Sequence, residues 1–150
     1  MRSWTLLLVP WLLLCSWAAA QETLPILHGT WTATVGPNQV LRGRWYTRLS
    51  PDSPNAATGS WTLLDQQGQQ VMQGTWSARK SAQGWLGTWS AQTQDGRSLA
   101  GTWTAMIPGF TGKTLRDMLE STEQQEVPGS WRSGTYEGNW WLKGPPAQTR

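Results

Sequence analysis

Polar and apolar residues alternate along much of the chain. In the segment 41–49 (LRGRWYTRL), mostly apolar or small residues occupy the odd positions, while Arg42, Arg44 and Arg48 occupy even ones. The segment 72–79 (MQGTWSAR) alternates in the same way. A period of two over this length is typical of β-strands that bury one face. The alternation therefore predicts a protein built mainly of half-buried strands.

The tripeptide Gly-x-Trp recurs at the centre of these alternating segments. It occurs eight times, and the first six of its tryptophans are separated by 13 to 16 residues. Because each tryptophan falls on the apolar set of positions, we expect the eight indoles to form the structural core. They are Trp31, Trp45, Trp61, Trp76, Trp89, Trp103, Trp131 and Trp140.

One pairing rule relates these tripeptides to the turns between them. If strands are antiparallel and each tryptophan lies opposite the next strand's glycine, the position of every turn is fixed. All but one of the resulting turns fall on Gly, Pro, Asn or Asp, which tight turns favour; the exception is Ser81-Ala82. Paired side chains have Cβ atoms only about 5 Å apart, so a glycine leaves space for an indole. The rule pairs Trp31 with Gly43, Trp45 with Gly59, Trp61 with Gly74, Trp76 with Gly87, Trp89 with Gly101 and Trp131 with Gly138.

A long interval separates the sixth and seventh tryptophans. Its residues 114–126 (TLRDMLESTEQQE) place three apolar side chains at the spacing of one helical face. Thr114 is a suitable N-cap, and Asp117 follows it at the capping-box position. The VPG sequence at 127–129 ends the segment. We therefore predict one short amphipathic helix, inserted between strands 6 and 7 and laid across an end or a face of the sheet.

These elements predict an all-β fold, an eight-stranded antiparallel up-and-down meander with one inserted helix. Closure into a barrel would remove the sheet edges, and eight strands enclose room for side chains or one small ligand. Closure also makes the tryptophan rows spiral, so Trp31 need not lie opposite Gly138. An open, strongly curled sheet is the alternative.

The first twenty residues form a separate segment. Arg2 is their only charged residue, an apolar run follows, and three alanines end at Ala20. This pattern predicts a secretory signal peptide over 1–20, cleaved before Gln21. An uncleaved anchor and a lipoprotein linked through Cys15 are the alternatives. Residues 21–150 then form one cysteine-free domain in a secreted or periplasmic compartment, with no transmembrane span after cleavage.

The charge of the chain excludes some partners. The formal net charge is +3, from 12 basic and 9 acidic residues, and Arg2 lies in the predicted leader. The basic residues form no cluster along the sequence. A charge this small does not indicate a nucleic-acid partner.

The repeated Gly-x-Trp strands resemble those of the avidin-like and lipocalin-like up-and-down barrels. The resemblance covers most of residues 21–150 and implies a barrel with a calyx for a small apolar or aromatic ligand. Avidins carry a ligand-binding asparagine two residues after the first such tryptophan, where this chain has Ala33. Biotin binding is therefore not implied. The segment Tyr136–Trp140 (YEGNW) also resembles the core of a MORN repeat.

The sequence contains few groups suited to catalysis. His28 is the only histidine, and nucleophile, zinc-protease, P-loop and dinucleotide-binding motifs are missing from the sequence. Asp52, Asp65 and Asp95 lie at or beside predicted turns, where aspartate serves the backbone. We therefore expect a protein that is not an enzyme and that has no metal and no cofactor.

Two groups of residues are candidates for binding. On one predicted strand, Arg42, Arg44, Tyr46 and Arg48 share the outward positions. They form either a solvated edge or face that discourages association between sheets, or a contact for an anionic partner. Near the C-terminus, Trp140 and Trp141 are adjacent on one predicted strand, so their side chains point to opposite faces and one of the two faces outward. Tyr136 and the outward tryptophan then form the second candidate contact.

Two functions remain open at this stage. The first is a non-catalytic binding or interaction module for a partner protein or an envelope component. The second is a carrier of a small apolar or aromatic ligand. They differ in the free volume inside the sheet, because a core filled with indoles excludes the carrier, whereas a cavity of several hundred cubic ångströms favours it.

Overall fold

The computed structural model describes residues 26–106, 109 and 112–145. Eight antiparallel strands follow one another around a closed barrel in chain order. One short helix lies between the sixth and the seventh strands. The predicted fold class is therefore confirmed, and the sheet is closed rather than open. The predicted leader, residues 1–20, lies outside the described residues.

The strands coincide with the alternating segments of the sequence, because each Gly-x-Trp lies inside one strand. The connections between strands carry the Gly, Pro, Asn and Asp residues that tight turns favour, except for Ala82-Gln83 between β4 and β5. The elements are β1 Ile26–Val35, β2 Gln39–Arg48, β3 Ala56–Leu64, β4 Gln70–Ser81, β5 Gly84–Gln92, β6 Ser98–Ala105, α1 Leu115–Ser121, β7 Val127–Ser133 and β8 Tyr136–Lys143.

Strands β1–β2, β3–β4, β5–β6 and β7–β8 form four hairpins with the predicted register. In each hairpin, the tryptophan of the first strand lies opposite the motif glycine of the second. The exchange is also reciprocal, because the tryptophan of the second strand lies opposite the glycine of the first. The reciprocal pairs are Gly29 with Trp45, Gly59 with Trp76, Gly87 with Trp103 and Gly129 with Trp140.

Between the hairpins, the predicted register is wrong by two residues. Trp45 lies opposite Trp61, not opposite Gly59. Two opposed indoles fit because each lies over a glycine of its own hairpin, so the two rings lean away from each other. A shift of two keeps the same side chains inside the barrel, since the strand period is two. The same shift occurs between β4 and β5, where Trp76 lies opposite Trp89 and not opposite Gly87. It also occurs between β6 and β7, where Trp103 lies opposite Trp131 and not opposite Gly129.

The barrel closes through β8 and β1. Trp31 lies opposite Leu142, and Ala33 lies opposite Trp140. Trp31 is thus not paired with Gly138. This is the result expected, because closure of the barrel makes the tryptophan rows spiral.

Helix α1 begins as predicted but ends early. The side chain of Thr114 accepts a hydrogen bond from the backbone N–H of Asp117, and Asp117 accepts one from the backbone N–H of Thr114, which confirms the capping box. The helix stops at Ser121, five residues before the predicted end at 126. Beyond Leu119 no apolar side chain anchors another turn, and the hydroxyl of Thr122 instead bonds the Leu119 carbonyl.

The two ends of the barrel differ. The four hairpin turns lie at one end, and α1 lies at the other. Its residues Leu115, Met118 and Leu119 are 1–3% exposed and pack in the hydrophobic core with Trp85 and Val127. The helix therefore closes its end of the barrel. Within the described ranges, no helix is long and apolar enough to cross a membrane.

Candidate functional site

The inner wall of the barrel is built from the motif glycines and tryptophans. A Cβ atom on any of the eight glycines would lie 2.0–2.7 Å from an indole atom and 1.7–2.4 Å from a backbone oxygen. None of these glycines has a positive φ, so the close contact, and not backbone conformation, requires glycine. Each indole therefore has a fixed position on the wall.

The indole N–H groups point into this wall. Six of the eight donate to backbone carbonyl oxygens at 2.9–3.2 Å; for example, Trp31 bonds Arg44, and Trp103 bonds Ser77. The Nε1 atom of Trp76 is buried and has no partner among the described residues. The polar edge of most indoles is thus satisfied by the backbone, which leaves carbon surface to face the interior.

Neighbouring indoles contact one another edge to face. The centroids of Trp31 and Trp61 are 5.7 Å apart, and their planes are at 87°. Trp61 with Trp89 and Trp89 with Trp131 continue the row at 6.3 Å. Such pairs are worth about 0.5–1.5 kcal/mol each beyond the area that they bury. The indoles therefore brace each other around the barrel.

An apolar cavity of about 220 Å³ remains inside the barrel. Its walls are the eight motif indoles, and its floor is formed by Met118 and Leu119 of α1. Ala33, Val35 and Leu41 border it towards the hairpin turns. Every side chain that lines the cavity is apolar or an indole. The interior is thus a preformed apolar site.

Exposure increases from the helix towards the hairpin turns. Trp45 and Trp140 are only 3% and 8% exposed, whereas the other six motif indoles are half-buried. At the turn end, Leu99 and Tyr136 are 42% and 69% exposed. Access to the cavity is therefore from the end that carries the hairpin turns.

A larger depression of about 740 Å³ lies on the outer wall across β2–β6. Seven of the fifteen residues that line it are serine or threonine. Several of these hydroxyls bond each other, as Thr75 does with Ser90 at 3.0 Å and Ser77 with Thr88 at 2.9 Å. Because several of its hydroxyls are already paired with one another, the interior cavity is the better candidate for a small ligand.

The predicted basic strand is β2. Arg42, Arg44 and Arg48 are exposed on its outer side, and Tyr46 is half-buried between them. The ring of Tyr46 lies 6.4 Å from that of His28, which is exposed on β1. β2 pairs with strands on both sides, so it is a face of the barrel and not an edge.

The structure separates the two predicted aromatic contacts near the C-terminus. Tyr136 lies at the turn end, whereas Trp141 lies on the outer wall of β8 and is half-buried. Trp141 is opposite Thr32 of β1, and Thr32 is opposite Arg42 of β2. Trp141 is therefore grouped with the basic residues and not with Tyr136.

The titratable groups are spread over the surface. Asp65 accepts two backbone N–H groups in its turn, from Gln67 and Gln69. A hydrogen bond from Thr93, with a further one from Arg97, lowers the pKa of Asp95 below 3.8. Both aspartates serve their turns, as the sequence predicts. Within the described residues, no three His, Cys, Asp or Glu side chains are grouped so as to hold a metal ion.

Part of the cavity was not identified from the sequence. The residues that line it besides the tryptophans are small or aliphatic, and nothing in their type distinguishes them from core. The sequence does contain one signal for three of them. On their strands, Ala33, Val35 and Leu41 lie an even number of positions from the motif tryptophan, which places their side chains on the inner face. The position of Met118 and Leu119 as the floor has no comparable signal.

Comparison of the chain with known proteins identifies no related protein. No protein-family model matches the chain, and no curated protein or solved structure matches it.

Proposed function

We propose that this protein is a non-catalytic, extracytoplasmic binding protein that holds a small apolar or aromatic ligand inside its barrel. The single observation that carries the proposal is the indole-lined cavity of about 220 Å³. The predicted leader supports the extracytoplasmic location. The cavity is smaller than a typical ligand site of several hundred cubic ångströms, so of the two functions left open by the sequence it favours the carrier only for a very small ligand.

The volume of the cavity limits the ligand. An apolar cavity of about 150 Å³ is large enough to stay dry and to hold benzene. A cavity of about 220 Å³ therefore accepts a molecule of roughly eight to ten non-hydrogen atoms. Typical sites for larger ligands begin at about 300 Å³.

The chemistry of the lining limits the ligand further. Among the residues that the structure describes, no charged side chain borders the cavity, and most indole N–H groups already have backbone partners. A charged ligand would lose its hydration without gaining a partner, which is strongly unfavourable. The site therefore selects neutral molecules with little hydrogen-bonding capacity.

The expected affinity is modest. Small ligands gain between about 0.3 and 1.5 kcal/mol per non-hydrogen atom. Eight atoms at about 0.6 kcal/mol each give about 5 kcal/mol, which corresponds to a Kd near 0.2 mM.

Fluorine NMR with 4-fluorotoluene tests the proposal, and 4-fluorobenzoate serves as its charged analogue. We expect 4-fluorotoluene to bind with a Kd of about 0.1–1 mM and the benzoate to bind more than about tenfold more weakly. Ala33→Phe places a phenyl group in the cavity and should abolish binding. Ala100→Phe makes the same change at an exposed position on the outer wall and should leave binding intact.

A second variant covers the case in which Ala33→Phe does not fold. Val35→Trp obstructs the same cavity nearer to the turn end, where the half-buried side chain has more room. Undiminished binding to a folded Ala33→Phe or Val35→Trp protein would contradict the proposal. So would failure of 4-fluorotoluene to bind at millimolar concentration.

A further inference from the structure

Four basic side chains lie near one another where β8, β1 and β2 meet. Arg42, Arg44 and Arg48 alternate along the outer side of β2, and all three are exposed. Lys143 of β8 is also exposed and pairs with Thr30 of β1, which pairs on its other side with Arg44. Adjacent strands are about 4.8 Å apart, so the backbones of Lys143 and Arg44 are about 10 Å apart. The four cations therefore share one wall of the barrel.

Little acidic charge balances these cations on the same wall. β1, β2 and β3 contain no aspartate or glutamate, and Glu137, the acidic residue of β8, is paired with Arg132. In the part of the chain that the structure describes, the salt bridges involve Arg97, Arg116 and Arg132, and none involves the four cations. Like charges on neighbouring positions repel each other. An external anionic partner would relieve that repulsion.

Protection of a sheet edge does not account for these charges. Charged residues often keep a free edge strand from pairing with another molecule. β2 has no free edge, because it pairs with β1 on one side and with β3 on the other. Edge protection therefore does not explain the arginines of β2, which lie on a solvated face.

Exposed apolar side chains lie among the four cations. Val40, which precedes Arg42 on the outer side of β2, is 57% exposed. Ile26 lies opposite Arg48 at the other end of the row and is 50% exposed. The half-buried rings of Tyr46 and Trp141 lie on the same wall. Aromatic and aliphatic groups mixed with Arg and Lys are typical of protein surfaces that lie in a membrane interface.

We propose that this wall docks the barrel onto the surface of an anionic phospholipid bilayer. We name it the β2 face, defined by Arg42, Arg44, Arg48 and Lys143 with Val40, Ile26, Tyr46 and Trp141. The cations contact lipid phosphates, and the apolar side chains enter the headgroup layer. The row from Arg42 to Arg48 spans about 20 Å, which is enough to meet several headgroups. A single small anion fits less well, because the cations are exposed and are spread along a row of about 20 Å.

Sedimentation with lipid vesicles tests the proposal. The chain from Gln21 onward is used, because the apolar segment 1–20 would itself bind lipid and all described residues are retained. We expect binding to vesicles that contain one-third phosphatidylglycerol and little binding to phosphatidylcholine alone. Each cation near an anionic surface contributes about fivefold, so Arg42→Gln with Arg44→Gln should weaken binding by about 25-fold. About 0.5 M salt should weaken it as well.

Two matched controls separate the β2 face from net charge. Arg97→Gln with Arg132→Gln makes the same charge change elsewhere on the barrel, and we expect it to weaken binding by less than about threefold. Val40→Ser should weaken binding without changing the charge. Circular dichroism confirms that each variant remains folded.

Three results would overturn the proposal. One is equal binding to the two kinds of vesicle. Another is an equal loss in both double variants, which would indicate net charge alone. The third is retention on a soluble acidic polypeptide, polyglutamate, without binding to anionic vesicles, which would assign the β2 face to an acidic protein partner.

Discussion

Replacing Gly74 with alanine tests the contact on which the barrel wall depends. A Cβ atom at this position would lie 2.0 Å from the Ser90 carbonyl oxygen and 2.5 Å from Cε2 of Trp61. The carbonyl belongs to the neighbouring strand, so relief requires a backbone shift as well as displacement of the indole. Overpacking of this kind costs about 1–3 kcal/mol. Displacement of the ring also breaks the Trp61–Thr75 hydrogen bond, worth about 1 kcal/mol.

The expected loss is therefore about 2–4 kcal/mol, a large part of the 5–15 kcal/mol that stabilises a typical domain. Gly68→Ala in the turn of the same hairpin is the matched control. Gly68 has φ of 78° and open space around it, so its replacement causes only backbone strain of about 1 kcal/mol. Guanidinium denaturation followed by circular dichroism and tryptophan fluorescence measures both variants. The reasoning is refuted if Gly74→Ala is no more destabilising than Gly68→Ala.

The remaining predictions concern helix α1. Met118→Ala should lower the free energy of unfolding by about 2–4 kcal/mol, because the side chain is only 1% exposed. Glu120→Ala, at an exposed position of the same helix, should change the free energy of unfolding by less than about 0.5 kcal/mol. Equal effects of the two variants in thermal denaturation would contradict the packing of Met118 at the floor of the cavity. The backbone N–H of Thr114 donates to the carboxylate of Asp117 and lowers the pKa of Asp117 below 3.8. The capping interaction therefore stabilises the folded protein fully above pH 3.8. This stabilisation is lost as the pH falls through the pKa that Asp117 has in the folded protein, because the carboxylate becomes protonated. The stability difference between the protein and Asp117→Asn should therefore shrink as the pH falls below 3.8, and a constant difference would count against this interaction.

The hairpins could be predicted because local chemistry fixes them. A short turn allows only one register, and the Gly, Pro, Asn and Asp residues mark where each turn lies. Trp31 therefore had to pair with Gly43, and Trp61 with Gly74, as they do. The capping box at Thr114 was predictable for the same reason, since it depends on residues three apart.

The register between hairpins could not be fixed in this way. The long connection between Arg48 and Ala56 tolerates a shift of two residues, and such a shift leaves the inward face unchanged. The connection between β4 and β5 is only Ala82-Gln83, and neither residue is a Gly, Pro, Asn or Asp that would mark the position of the turn. What decides it is the direction in which each indole leans. Trp45 lies over Gly29 of its own hairpin, so its other side is free to face Trp61. That choice is made by three-dimensional packing and has no local signature.

The cavity and the β2 face depend on closure of the barrel. The spacing of Gly-x-Trp places the indoles inside, but the free volume follows from their contact with the wall and from the docking of α1 at one end. Trp141 and Lys143 join Arg42 and Arg44 only because β8 pairs with β1, which are at opposite ends of the sequence. The outward positions were predicted from parity, whereas their grouping required the fold.

A crystal structure under xenon pressure tests the central claim most directly. Xenon enters apolar cavities that are dry and preformed. The account predicts a xenon atom inside the barrel, in contact with the indoles of Trp61 and Trp89 and above Met118. An interior without xenon, with the tryptophan rings meeting on the barrel axis, would contradict it.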